Sequence, residues 1–191
     1  VARDATKPIV FGEIDMKDDE HIKLISGCKA EVTLMDGKVI TVDLMKISTR
    51  EFREMTDPKM GESGEEKLIS HLTGIPLNEV KTLVRPDYIL VASSVLFAAY
   101  RPPKDENKIE LVDGFKAKVT TYSNDIITID LMKFTQAEWS KAFSAGGDEA
   151  EVIFKATGIT VEELMKMPLG DYKLLAHGLR EAGNKPLGNP F

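Results

Sequence analysis

Two aspartates hold the same place in a doubled stretch, and paired carboxylates are the first chemistry the chain suggests. Asp43 lies in I-T-V-D-L-M-K, Ile40 to Lys46, and Asp130 in I-T-I-D-L-M-K, Ile127 to Lys133, 87 positions apart. Brought together by pseudo-symmetry, two carboxylates could serve as acid and base, which needs one raised pKa. The structural alternative, preferred here, is that each accepts hydrogen bonds at a strand-to-helix junction or pairs with a nearby Lys.

Other chemistry finds less support in the residues. His21, His71 and His177 sit at non-equivalent places, and no H-x-x-x-H or H-E-x-x-H spacing occurs, so no metal centre is expected. Cys28 is the only cysteine, which rules out an intramolecular disulfide, and it lacks an identifiable His partner for nucleophilic catalysis. Gly61-Glu-Ser-Gly64 and Gly146-Gly147 are not phosphate loops, and no G-x-S-x-G elbow is present. The expectation is a non-enzyme without a cofactor. Asp87-Tyr88 and Asp171-Tyr172 fall at predicted helix starts, where an Asp satisfies free amides and opposes the positive end of the helix dipole. Thr73-Gly74 and Thr157-Gly158 read as helix stops.

Composition narrows the class. With 191 residues and 42% apolar content the chain can fold as one large domain or two small ones. A net charge of -6 argues against a general nucleic-acid binder. The longest apolar run, Tyr88 to Tyr100, is interrupted by Ser93 and Ser94 and is too short for a bilayer core of roughly 30 Å. No signal-peptide pattern is visible, and Val1 in first place leaves room for a removed initiator Met or tag upstream. Neither a membrane nor a nucleic-acid partner is expected, and the single cysteine suits a reducing or indifferent compartment.

The elements that must position these residues come twice. Residues 1–20 form an N-terminal arm, in which Ile9-Val10-Phe11 is expected to lay a short strand on a neighbour before a charged link. Repeat one covers 21–101, a polar Pro-containing linker 102–108, repeat two 109–183, and an extended tail 184–191. In repeat one, alternating Ala30, Val32, Leu34 and Ile40, Val42, Leu44 flank Asp36-Gly37, the signature of a hairpin. Ser48-x-x-Glu51 is a capping box that starts a helix, which ends before Asp57-Pro58. Gly61 to Gly64 reads as a loop, Glu65 to Leu72 as a second helix, Pro76 to Leu83 as a short third, and Pro86 to Tyr100 as a longer apolar fourth. Repeat two retraces this order, with Thr135-x-x-Glu138 as its capping box. A loop shorter by three residues at Ala145 to Asp148 moves the offset from 87 to 84. The last helix of repeat two carries His177, Arg180 and Glu181, so it is expected to be more exposed than its counterpart. The fold class is therefore α+β: two tandem pseudo-repeats, each a β-hairpin followed by three or four short helices.

A resemblance enters through repeat two. Its residues are the strand Ile127-Thr-Ile-Asp-Leu131, Thr135-Gln-Ala-Glu138, the Gly-Gly-Asp-Glu loop at Gly146 to Glu149, A-T-G-I-T-V-E-E-L from Ala156 to Leu164, and Met-Pro-Leu-Gly-Asp-Tyr from Met167 to Tyr172. Together they resemble the tail assembly chaperones of long-tailed bacteriophages and prophages. Repeat one follows more loosely, with Ile75-Pro-Leu-Asn-Glu79 and Pro86-Asp-Tyr88. The resemblance implies a non-enzymatic role in the host cytoplasm, binding tape-measure and tail-tube proteins during assembly. The alternative is a structural virion component, such as a tail, connector or baseplate subunit, and either use permits a homo-oligomer. On helix-in-groove logic the candidate partner-binding residues are Leu83, Tyr88, Val91, Phe97, Leu164, Tyr172 and Leu175, with core packing as the preferred reading of these helices.

Overall fold

The computed structural model describes residues 20–101, 103, 106–113, 115–142 and 148–184. The expected strand of the N-terminal arm and most of the expected tail lie outside the described residues. Contacts divide the chain into two units, Val1–Arg101 and Pro102–Phe191.

Unit 1 begins with three antiparallel strands, β1 (Ile22–Ser26), β2 (Lys29–Thr33) and β3 (Val39–Asp43), in that spatial order. Alternation puts Ala30 and Val32 opposite Val42 and Ile40 on the inner face, and all four are buried. The β2–β3 turn closes on Gly37 at φ +85°, which costs Gly little, while the Asp36 carboxylate accepts from the Lys38 amide at 2.9 Å. The helices follow: α1 (Thr49–Met55), α2 (Gly61–Thr73), α3 (Leu77–Val80) and α4 (Arg85–Tyr100). The long apolar α4 packs on β2 and α2 packs beside it against β3, forming a two-layer α+β core.

Unit 2 repeats this order: β4 (Ile109–Asp113), β5 (Lys116–Thr120), β6 (Ile126–Asp130), α5 (Gln136–Ala142), α6 (Glu149–Thr157), α7 (Val161–Lys166) and α8 (Leu169–Asn184). The strands match at an offset of 87, and the starts of α3 and α4 at an offset of 84. Even the irregularity between Leu24 and Ser26 recurs between Leu111 and Asp113. Asn124 stands in the left-handed region at φ 70°, where unit 1 has Gly37. An Asn tolerates that conformation better than most side chains.

The α+β class and the doubled unit stand as expected, with several corrections. Each expected hairpin is two strands of a three-stranded sheet. Strands β1 and β4 are short and half exposed, so their periodicity is weak, yet Ile22 and Leu24 recur as Ile109 and Leu111. The expected loop at Gly61 to Gly64 is the first turn of α2. Gly64 is there for close approach, because a Cβ would stand 2.3 Å from the Met55 carbonyl oxygen. Helix α3 stops at Val80, short of Leu83. Helix α8 is not the more exposed of the pair: it buries residues from Leu169 to Ala182, while Arg180 takes the solvent side.

The capping boxes form as the spacing demands. The Glu51 carboxylate accepts from the Ser48 amide at 2.8 Å, and the Ser48 hydroxyl accepts from the Glu51 amide at 3.2 Å. Thr135 and Glu138 do the same at 2.9 and 3.3 Å. A third box, Thr160 with Glu163 at the start of α7, was equally visible as T-x-x-E but is absent from the expectations above. Ser48→Ala is expected to cost about 1 kcal/mol. Urea unfolding followed by circular dichroism measures it, and an unchanged midpoint would mean that tertiary packing alone holds α1.

Candidate functional site

The doubled aspartates resolve into structural roles. The Asp43 carboxylate accepts from the Met45 amide at 3.0 Å, capping a 3-10 turn at Leu44–Lys46, and its second oxygen pairs with Lys29 Nζ at 3.0 Å. Asp130 accepts from the Met132 amide at 3.0 Å and pairs with Lys116 Nζ at 3.8 Å. The hydrogen bond to Asp43 raises the Lys29 ammonium above its ordinary pKa. Both preferred alternatives, junction acceptor and ion-pair partner, hold together at each aspartate. The Lys that ends the motif also has a job: Lys133 Nζ donates to the Ala156 carbonyl at 3.3 Å, in the last turn of α6. A cation there answers the negative end of the helix dipole.

Asp87 and Asp171 stand at their helix starts as expected, but the amides they satisfy are not those of the helix. Each lies in the first turn of its helix, but the acceptor oxygen is aimed at the opposing hairpin. Asp87 Oδ1 accepts from the Met35 amide at 2.9 Å. Asp171 Oδ1 accepts from the Tyr122 amide at 2.6 Å and from the Ser123 amide at 3.4 Å, while Oδ2 accepts from the Ser123 hydroxyl at 2.5 Å. Each carboxylate therefore pins its long helix to the β-turn of its own unit. Local helix logic missed this, since the partners are 52 and 49 residues away.

The seven candidate partner-binding residues do not share a surface. Val91 and Phe97 are buried in unit 1, and Leu164, Tyr172 and Leu175 are buried in unit 2. Those five pack the cores of their own units, the use preferred for them over groove walls. An apolar helix face on a sheet is consumed by the sheet. Leu83 and Tyr88 are half-buried and line one cleft of unit 1, between α2, α3 and the start of α4.

That cleft has a volume of about 210 Å³. Its apolar floor is Val80 with Leu83, and its polar wall is Glu62, Glu65 and Glu66 from α2. Lys81, Arg85 and Tyr88 complete it. Glu65 is only 6% exposed. Burial pushes its carboxyl pKa up, against a hydrogen bond from the Tyr88 hydroxyl that favours the charged form. Burial, then the bond to Glu65, pushes the Tyr88 phenol up in turn. Arg85 stands over the Tyr88 ring at 5.9 Å, and Lys81 pairs with Glu66 at 3.6 Å. Spacing alone did not single out Glu65. The one available signal was its place on the helix face that also carries Leu68, Ile69 and Leu72.

Among the described residues no group of three or more His, Cys, Asp or Glu side chains converges on a point that would hold a metal ion. His21 and His71 contact backbone carbonyls, of Thr33 at 3.1 Å and Lys67 at 2.8 Å. Among the described residues no helix is long and apolar enough to cross a membrane.

The carboxylates give stability a pH dependence whose sign differs by site. The ion pair with Lys155, then the hydrogen bonds from Thr135, lower Glu138 to about 2. A depressed carboxylate contributes stability above its unfolded value near 4.5, and that contribution is lost as pH falls toward about 2. Glu65 runs the other way: its folded pKa is raised, so stability declines as pH rises from 4.5 through the folded value. Glu65→Gln is expected to remove the second slope and Glu138→Gln to lessen the first, to which Glu51 and Glu163 also contribute. Thermal midpoints measured from pH 2 to 8 check both, and parallel curves for wild type and variants would contradict them.

Comparison with protein-family models, characterised proteins and solved structures finds no match to this chain.

Proposed function

We propose that the protein is a non-enzymatic binder of the tail-assembly chaperone type, which engages an extended helical partner, the tape-measure protein, during phage tail assembly. The observation that carries the reading is the doubling of one α+β module, element for element, on a single chain. Two similar modules joined in tandem raise the effective concentration of the second contact without a new kind of contact. Among the polar residues retained in both copies, Asp43 with Asp130 and Asp87 with Asp171 are engaged inside their own units. Two apolar positions stay exposed in both: Ile25 with Val112, and Val39 with Ile126. The resemblance in repeat two supports the same reading and falls on β6 and α5 through α8.

Co-expression with a long helical tape-measure protein encoded nearby is the test. The expected result is a soluble complex that elutes as one species, weakened by Val39→Lys together with Ile126→Lys, two changes at exposed positions that leave stability unaltered. A tape-measure protein that remains insoluble overturns the reading. So does high-copy recovery of this chain from purified virions.

A further inference from the structure

The duplication supplies an internal reference for the cleft of unit 1. Stepping by 84, Lys81, Leu83, Arg85 and Tyr88 become Met165, Met167, Leu169 and Tyr172. In unit 2, Met165, Leu169 and Tyr172 are buried and Met167 packs against the core. The same place is thus filled with apolar side chains in one copy and opened, with charges, in the other. Glu65 corresponds to Glu149, whose carboxylate pairs with Arg180. Arg180 in turn corresponds to Leu96, so unit 1 has an aliphatic side chain where unit 2 supplies the guanidinium.

We propose that the cleft between α2, α3 and α4 of unit 1 holds the guanidinium of an arginine side chain presented by a partner protein, seated on Glu65 and against the Tyr88 ring. Three features select that guest. The volume of about 210 Å³ is below the roughly 300–1,000 Å³ of small-molecule pockets and suits one long side chain. The lining carries three carboxylates against two cations, and one of those cations, Lys81, already pairs with Glu66. A single added positive charge balances the site. An arginine fits better than a lysine because its planar fork meets a carboxylate with two hydrogen bonds, stacks on an aromatic ring and is more weakly hydrated. Weak hydration matters at Glu65, which is itself withdrawn from water. Val80 and Leu83 give the aliphatic stem an apolar floor.

The choice of a protein-borne guest rests on the reading of the chain as a protein binder, but the cleft can be tested without any partner. The full chain is titrated with N-acetyl-arginine methylamide and, separately, with the uncharged citrulline analogue, each followed by amide NMR shifts. The expected result is saturable shifts at Glu65, Lys81 and Tyr88 with the arginine probe and none with citrulline. Glu65→Gln should weaken binding at least tenfold, whereas Glu149→Gln in unit 2 should leave it unchanged. Should Glu65→Gln fail to fold, Glu62→Gln at the exposed mouth takes its place and should weaken binding about threefold. Equal shifts from citrulline, shifts spread over both units, or an affinity indifferent to the cleft variants would overturn the proposal. Failure to capture the tape-measure protein would leave this titration unaffected, so the two readings fail separately.

Discussion

Asp171→Ala is expected to destabilise unit 2 by about 3 kcal/mol, and Asp87→Ala to destabilise unit 1 by roughly half as much. Asp171 is 2% exposed and accepts from two amides and a hydroxyl, all in the Tyr122–Ser123 turn. Truncation removes hydrogen bonds to a charged acceptor and strands buried donors, each worth about 1–3 kcal/mol. Asp87 is 8% exposed and accepts from the Met35 amide, so less is lost. The chain supplies its own reporter, because its only tryptophan, Trp139, lies in unit 2, edge-on to Phe134 at 5.8 Å. Urea unfolding read by Trp139 fluorescence should shift strongly for Asp171→Ala and little for Asp87→Ala, while far-ultraviolet circular dichroism should register both. A shift of the fluorescence transition by Asp87→Ala equal to that by Asp171→Ala would mean that the two units unfold as one.

The second large effect is a reversal of sign. Alanine is favoured over glycine within a helix by about 1 kcal/mol, so propensity alone makes Gly178→Ala, in the middle of α8, stabilising. Packing predicts the opposite. A Cβ at Gly178 would lie 2.6 Å from Val119 Cγ2 and 3.2 Å from Ile129 Cδ1. Overpacking of that kind costs about 1–3 kcal/mol, so against the gain in helix propensity a net loss of up to about 2 kcal/mol is expected. In unit 1 the equivalent of Gly178 is Ser94 and that of Ile129 is the smaller Val42, while Val119 keeps its type as Val32, so the exchange accounts for the second contact only. Ser94 fits, fully buried, with its hydroxyl donating to the Val91 carbonyl at 2.7 Å. Ile129→Val in the Gly178→Ala background should restore part of the loss, since it removes the second contact and leaves the first. A Gly178→Ala variant more stable than wild type would refute this account. The same exchange of volume recurs at the far end of the helix. Gly183 faces Trp139, with a would-be Cβ 2.3 Å from the indole, where unit 1 has Ala99 and the smaller Phe52.

The parts of this molecule legible in the amino-acid order are those governed by neighbours a few residues apart. Alternation in 30–34 and 40–44, Asp36-Gly37 between them, and S/T-x-x-E before α1 and α5 each depend on contacts within one turn or one hairpin. The 87-residue repeat added a second sample of the same code, which defined the unit and located the three-residue deletion before α6. Reading Gly61 to Gly64 as a loop failed for an instructive reason. Glycine marks either an unusual φ or a close approach, and at Gly64 it is the approach to Met55 that matters.

The candidate site was far less legible. Of the seven residues picked for partner binding, five are buried in the cores of their own units, and the two that reach the cleft were chosen for the same apolar pattern. Glu65 was overlooked because its place on the face of Leu68, Ile69 and Leu72 marks burial without saying what it meets there. Its surroundings come from α3 and α4 folding back on α2.

By itself, then, the sequence determined the class, the unit, its duplication, the β2–β3 turn and the capping boxes of α1 and α5, because these follow from short-range sterics and hydrogen bonding. Tertiary structure alone decided the third strand of each sheet, the attachment of Asp87 and Asp171 to distant turns, the glycines that admit Ile129 and Trp139, and the charged cleft open in one copy and filled in the other. Each of these depends on which side chains meet across long chain separations. That is settled by packing volume and the need to satisfy buried polar groups, quantities that exist only once the elements are assembled.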